Sequence, residues 1–388
     1  LRIPADAECI MPQTVIPGKL AWTRLAGSKV QQWEDIAGRF ADPFFSVAHA
    51  AKFPIRPSER FFCIGSCFAR NVEEHLIYRG VEVLSRRIIS PRAEWPGPRP
   101  NGLVNKFTTG SMAQEVEWLF DPPADIAATM VETPQGWFDL HLCPGVAPVP
   151  LLRAIERRRY LMEDYFARLR HVDAVIVTLG LNEVWRDLSS GLYLNTAPTL
   201  WATRKTPGRF QLEITGVEEN VGELERLYAR LKALNPAMRV IVTVSPVPMS
   251  ATFSGRDVAV ANTFSKSTLV AAAQVFQGAH EAVDYFPSYE LVTLSPRAAA
   301  YGADSLHVTN AVVGQVMEQF MAAYMGAAAD APDGFVDLAY LEANPDVEDA
   351  VRAGLFVSGY EHWLEFGRQE KRSLRPAEAT ARMIEAGM

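Results

Sequence analysis

The 388-residue sequence is poor in cysteine, in long apolar runs and in basic charge. Four cysteines (Cys9, Cys63, Cys67 and Cys143) are too few and too irregularly spaced for the disulfide framework of a small secreted domain. Cys63 and Cys67 have a C-x3-C spacing, but no second Cys/His pair accompanies them, so no metal site is expected. They read as reduced packing cysteines, which points to a cytoplasmic setting. No apolar run approaches the ~20 residues that span a bilayer, and the opening Leu1-Arg2-Ile3-Pro4-Ala5-Asp6 lacks the shape of a signal peptide. With 38 Lys and Arg against 45 Asp and Glu, the net charge of −7 argues against a nucleic-acid partner.

What is abundant is material for a core: 48% hydrophobic and 10% aromatic residues. Short apolar runs at 61–64, 81–84, 173–180, 239–244 and 283–286 read as buried strands. Helical patterns separate them, near 67–78, 112–119, 149–171, 218–234 and 257–283, and a last one spans 310–325. Strand and helix in alternation predict an α/β fold, a doubly wound parallel sheet flanked by helices. This domain is expected over 59–328. Residues 1–58 form an N-terminal extension with a helix around 30–40, anchored by Trp22, Trp33, Phe44 and Phe45. A linker at 326–334 leads to a small helical C-terminal module over 333–376, packed by His362 and Trp363. Segment 186–216 reads as an inserted hairpin with strands near 191–195 and 210–215. The Arg153, Arg157, Arg158 and Arg159 cluster reads as a solvated helix face.

In a doubly wound sheet, ligands gather at the carboxyl ends of the strands. Ser66, Asn182 and Ser245 all follow strand ends. Ser66 stands at a helix start, where it serves either as an N-cap or as a nucleophile beside converging N–H groups. A serine needs a base to take its proton. Asp304 and His307 lie three apart, so in a tight turn the carboxylate can fix one imidazole nitrogen while the other faces Ser66. Donors for an oxyanion are the Ser66 N–H, an N–H in the 105–110 loop and the Asn182 amide. Cys67, also near the helix start, is a rival nucleophile.

The run Gly65-Ser66-Cys67-Phe68-Ala69 is the signature for which the GSCFA family is named, and the chain resembles that branch of the SGNH hydrolases over roughly 60–325. The resemblance matches the first family block at Ser66, the third, Gly-x-Asn, at Gly180-Leu181-Asn182, and the last, Asp-x-x-His, at Asp304-Ser305-Leu306-His307. For the second block it implies Gly110 as backbone donor. Implied, therefore, are the catalytic residues Ser66, Asp304 and His307 and an oxyanion hole from Ser66, Gly110 and Asn182, with no cofactor and no metal.

The expected activity is removal of a small acyl group, O-acetyl above all, from a carbohydrate or other small ester through an acyl-Ser66 intermediate. Two alternatives stand beside it: an O-acyltransferase using the same residues, and a non-catalytic glycan-binding protein on the same scaffold. Substrate contacts are expected from the insertion: Trp185 and Trp201 stacking on a sugar, Arg186 and Arg204 on an anionic group.

Overall fold

Alternate residues of strand β1 (Arg60–Gly65) enter two different cores, Phe62 and Ile64 one, Phe61 and Cys63 the other, as the period of two in a strand requires. The computed structural model describes residues 14–56, 58–326 and 335–376. The remaining strands in chain order are β2 (Glu82–Val83), β3 (Val131–Thr133), β4 (Gly136–Phe138), β5 (Ala174–Leu179), β6 (Glu183–Asp187), β7 (Leu192–Leu194), β8 (Phe210–Ile214), β9 (Arg239–Val244) and β10 (Val283–Tyr285). A five-stranded sheet runs β10-β9-β5-β1-β2 with every pair parallel. Helices Thr109–Glu117, Leu151–Tyr160, Val217–Leu234 and Val258–Ala279 lie on the side of Phe62 and Ile64. Helices Cys67–Tyr78, Ser288–Thr293 and Asn310–Tyr324 cover the side of Phe61 and Cys63. The expected α/β architecture is present, including the N-terminal extension and the C-terminal helices.

Counting its own strands, this sheet has the order 2-1-3-4-5, which reverses between β1 and β5. A crevice opens at such a reversal, outside the carboxyl ends of the two strands. Ser66 follows β1 there, and Gly180-Leu181-Asn182 follows β5.

Elsewhere several expectations needed revision. Trp22 and Trp33 do not anchor the extension; they are 72% and 67% exposed. Of the expected anchors Phe45 is buried, its N–H donating to Ser295 Oγ at 2.9 Å, and Phe44 packs on the core of the Phe61 side; a His49–Asp284 contact of 3.2 Å and Ile55 add to the hold. A helix at Gly18–Ala26 was not expected. The insertion is a three-stranded antiparallel sheet, β7-β6-β8, with helix Leu200–Lys205 between β7 and β8, rather than a hairpin. Two of the arginines read as solvated are buried: Arg157 pairs with Glu94 at 3.0 Å, and Arg158 with Glu115 at 2.8 Å and Asp139 at 2.7 Å. Residue 9 and most of the expected linker lie outside the described residues.

The C-terminal helices Asp337–Ala343, Pro345–Arg352 and Gly359–His362 gather around Phe335, Tyr340, Leu341, Val347 and Val351. His362 bonds the Tyr340 hydroxyl at 2.9 Å, and Trp363 stacks on Tyr360. This group meets the α/β domain through buried charge: Arg86 reaches Asp337 at 2.6 Å, and Arg352 donates to the carbonyls of Ser90, Trp95 and Gly97. From the same segment Arg99 donates to Glu74 and Asn71 on the helix behind Ser66. Among the described residues no helix is long and apolar enough to cross a membrane.

Candidate active site

Ser66 takes its position from the residue before it. Gly65 has φ +153°, and a Cβ there would lie 2.5 Å from the Thr178 carbonyl oxygen on β5, so only glycine lets β1 run this close before turning into the helix. Ser66 is the N-cap residue of helix Cys67–Tyr78, yet its side chain makes no capping bond. Its Oγ is buried and has no hydrogen-bond partner among the described residues. A buried hydroxyl left unpaired costs free energy unless something else uses it, which separates the two roles left open by the sequence.

Three segments are tied together around this hydroxyl. The Lys106 N–H donates to Gly65 O at 2.8 Å, and Phe107 O accepts from the N–H groups of Gly180 and Leu181 at 3.0 and 2.7 Å. Gly180 permits the approach, since a Cβ would fall 2.9 Å from Phe107 O. Asn195 closes the set, accepting from Phe107 N–H at 3.0 Å and donating to Asn105 O at 2.7 Å. Behind Ser66, buried Arg70 donates to Cys63 O at 3.0 Å and pairs with Glu73 at 2.9 Å. Glu73 in turn accepts from Ser85 and Asn101. Beneath the 105–108 loop, Lys106, Glu115, Arg158 and Asp139 form a second buried ionic group. Arg158 holds Asp139 down at about 2 against the opposing effect of burial, and burial lowers His141 to about 4.

The crevice is a cavity of about 500 Å³ bounded by Ser66, Cys67, Phe107, Thr108, Leu181, Trp185 and Leu306, with 247–253 along one side. Lys266 stands fully buried behind it, on helix Val258–Ala279, with Nζ 2.8 Å from Gly180 O. Burial lowers its ammonium to about 7. Beside it Ser265 Oγ accepts from the Asn182 N–H at 3.0 Å, so this helix grips both ends of the Gly180-Leu181-Asn182 turn. Burial raises the Cys67 thiol above its ordinary value, which keeps it protonated and disfavours the rival nucleophile.

Asp304 and His307 do form a pair. Asp304 Oδ2 is 2.6 Å from His307 Nδ1, and Oδ1 accepts from the N–H groups of Leu306 and His307 at 2.9 and 3.0 Å. The hydrogen bond from His307, then those of the backbone, holds the Asp304 carboxyl at about 2. Leu306 lines the cavity, whereas His307 is 69% exposed and its ring makes no hydrogen bond to Ser66. The expected Ser66–His307 contact is therefore open in this conformation, because the 302–309 loop is fixed by its own bonds and by helix Arg297–Ala300 rather than by the crevice.

Other expected site residues sit elsewhere. Asn182 is buried, but its amide donates to Thr215 O at 3.0 Å, fastening the end of β8 instead of facing the cavity. Gly110 lies in the first turn of its helix with the Tyr193 ring against it; its lack of a side chain serves that packing, and Phe107 and Thr108 are the members of the 105–110 segment that reach the cavity. Of the insertion residues, Trp185 lines the cavity. Arg186, its neighbour on β6, points to the other face and stacks over Tyr193 at 4.5 Å. Trp201 and Arg204 fall on helix Leu200–Lys205, where Lys205 lies over the Trp201 ring. Lys266 was missed, since one lysine in a mixed helical pattern gives no sign of burial. Glu183 was missed too; it clamps the 247–253 loop by accepting from Thr252 Oγ1 and the Phe253 N–H. Among the described residues no cluster of His, Cys, Asp and Glu is arranged to hold a metal ion.

The family model described as GSCFA family matches residues 60–320, more than half of the chain. The span includes the Ser66 turn, the Gly180-Leu181-Asn182 turn and the Asp304–His307 pair. Among curated proteins no significant sequence match is found.

Proposed function

Because the chain belongs to the GSCFA family, whose character is hydrolase-like, we propose that it is a serine-dependent ester hydrolase with Ser66 as nucleophile. The observation that carries this reading is the buried, unpartnered Ser66 Oγ at the mouth of a helix and at the sheet's order reversal. His307 Nε2 takes the Ser66 proton as Oγ bonds to the acyl carbon, and the 302–309 loop moves inward to make this contact. His307 then returns that proton to the departing alcohol oxygen as the ester C–O bond breaks. Water attacks the acyl-Ser66 carbon, giving its proton to His307, and Ser66 leaves as the hydroxyl with the acid as product. Asp304 fixes the imidazole tautomer and stabilises its cation. The proposed oxyanion donors are the Thr108 N–H and the Ser66 N–H, the latter turning from its long 3.4 Å contact with Thr178 O, with Gly110 and Asn182 set aside on their geometry.

Hydrolysis is favoured over acyl transfer by the exposure of the pair, 69% for His307 and 51% for Asp304, which gives water ready access to the base. A carbohydrate alcohol is proposed for the leaving side, supported by the open surface around the pair, where a bulky polar group meets no wall. The test is p-nitrophenyl ester hydrolysis by the wild-type chain, Ser66→Ala and Cys67→Ala. Loss in the serine variant and retention in the thiol variant is expected; the reverse pattern overturns the assignment.

A further inference from the structure

The cavity beside Ser66 differs in chemistry from a sugar site. Its walls are Phe107, Leu181, Trp185, Val247, Met249 and Phe253, and most polar side chains of its lining are already engaged, the exposed Ser250 hydroxyl at the rim excepted. Asn195 uses both ends of its amide on Phe107, Ser111, Asn105 and Leu142. Thr196 donates to Leu142 O at 2.7 Å, Thr108 bonds Ser111, and Ser245 accepts from the Val247 N–H. Glu183, the only carboxylate there among the described residues, is taken up by Thr252 and Phe253. Of the buried polar side-chain atoms on this lining, only Ser66 Oγ and Trp185 Nε1 have no partner. A sugar buried here would leave most of its hydroxyls unpaired, at a cost for each.

Resting on the reading of Ser66 as nucleophile, we infer that this cavity binds the acyl part of the ester, and that the acyl group is an aliphatic chain well longer than acetyl. Its volume, about 500 Å³, is in the range that holds a small organic ligand and far exceeds what a methyl group fills. The geometry separates the two halves of the substrate: the chain lies under the 247–253 loop, and the alcohol leaves past Leu306 toward the exposed His307. Trp185 Nε1 is a buried spare donor for a polar atom on the chain.

The experiment is a series of p-nitrophenyl esters from acetate to decanoate with the wild-type chain, alongside calorimetric titration of Ser66→Ala with decanoate. Each methylene buried is worth about fourfold in kcat/KM, so the six that octanoate adds to acetate give roughly 4,000-fold at full burial, and at least about a hundredfold is expected with four of them buried. Val247→Asp, which places a charge in the wall, is expected to lower the octanoate-to-acetate ratio at least tenfold. Phe253→Asp, at a position 60% exposed and so less burdensome to the fold, is expected to lower it about threefold. A profile that is flat or falls from acetate, with hydrolysis still requiring Ser66, overturns the inference and leaves the nucleophile standing. Hydrolysis that survives in Ser66→Ala overturns the nucleophile, while decanoate binding to that variant, weakened by Val247→Asp, still supports the cavity. If no ester is turned over, absence of decanoate binding overturns the inference and its presence, sensitive to Val247→Asp, upholds it.

Discussion

Ser66 lies 3% exposed between β1 and β5, with two buried ionic groups behind and beneath it. His307 stands 69% exposed on a loop held by its own bonds, Gly302 N–H to His307 O, Ser305 N–H to Gly302 O and the two backbone bonds to Asp304. Helix Arg297–Ala300 holds it too, through Arg297 to Ser305 O and Thr309 to Ala299 O and Ala300 O. Ser305 is held there in the left-handed region at φ +56°. The first end is preorganised, so no reorganisation is required when charge develops on the substrate. The second end can adjust, and water can reach it. Substitutions in the supports of the two ends should therefore fail differently, those in the buried groups around Ser66 in stability and those at the exposed pair in rate alone.

The largest effect expected is on rate. Ser66→Ala and His307→Ala should each reduce ester hydrolysis by about 10⁴-fold, and the double variant should be no worse than either, because the two act as one unit. Steady-state kinetics of the three proteins check this; additive losses would separate His307 from Ser66. Asp304→Asn should lower kcat by up to about 10⁴-fold while leaving the urea midpoint where it is. By contrast Glu115→Gln, which leaves Arg158 and Lys106 without their shared carboxylate, should lose roughly 3–5 kcal/mol in urea unfolding. If Asp304→Asn shifts the midpoint as much as Glu115→Gln does, the contrast between the ends is wrong.

Gly65→Ala comes next, at roughly 1–3 kcal/mol for the disallowed backbone and the collision with Thr178. Its activity should fall further than its stability, since Ser66 moves with it.

A smaller effect separates Lys266 from an ordinary surface lysine. Its ammonium titrates near 7 when folded and near the ordinary lysine value of 10.5 when unfolded, so between these the unfolded chain binds the extra proton. Stability therefore rises with pH across that window, and the burden of the buried charge is greatest below about pH 7. Thermal unfolding of Lys266→Met should show a gain below pH 7 that shrinks as pH climbs toward 10. A gain independent of pH would mean that the lysine is not titrating in the fold.

How much of this was legible depends on whether a signal is local. β5 and β9 were readable because parallel strands covered on both faces are continuous apolar runs. β6, Glu183-Val184-Trp185-Arg186-Asp187, was not, since its alternating charges resemble the loop that follows a strand. The Ser66 turn and the Asp304–His307 pair were readable because both are set by spacing within a few residues. The directions of Asn182 and Arg186 were not, because each is decided by a partner more than 30 residues away in one case and by the strand's facing in the other. Arg157 and Arg158 misled for the same reason: helical arginines are solvated by default, and their carboxylates come from Glu94, Glu115 and Asp139 in distant segments.

The central claim is that the unpartnered hydroxyl at the start of helix Cys67–Tyr78 is the reacting group. Treatment with a fluorophosphonate followed by peptide mass mapping reads this directly. The account predicts one adduct, on Ser66, that persists in Cys67→Ala and disappears in Ser66→Ala. An adduct on Cys67, or a Ser66 peptide left unmodified while ester hydrolysis is blocked, would contradict it.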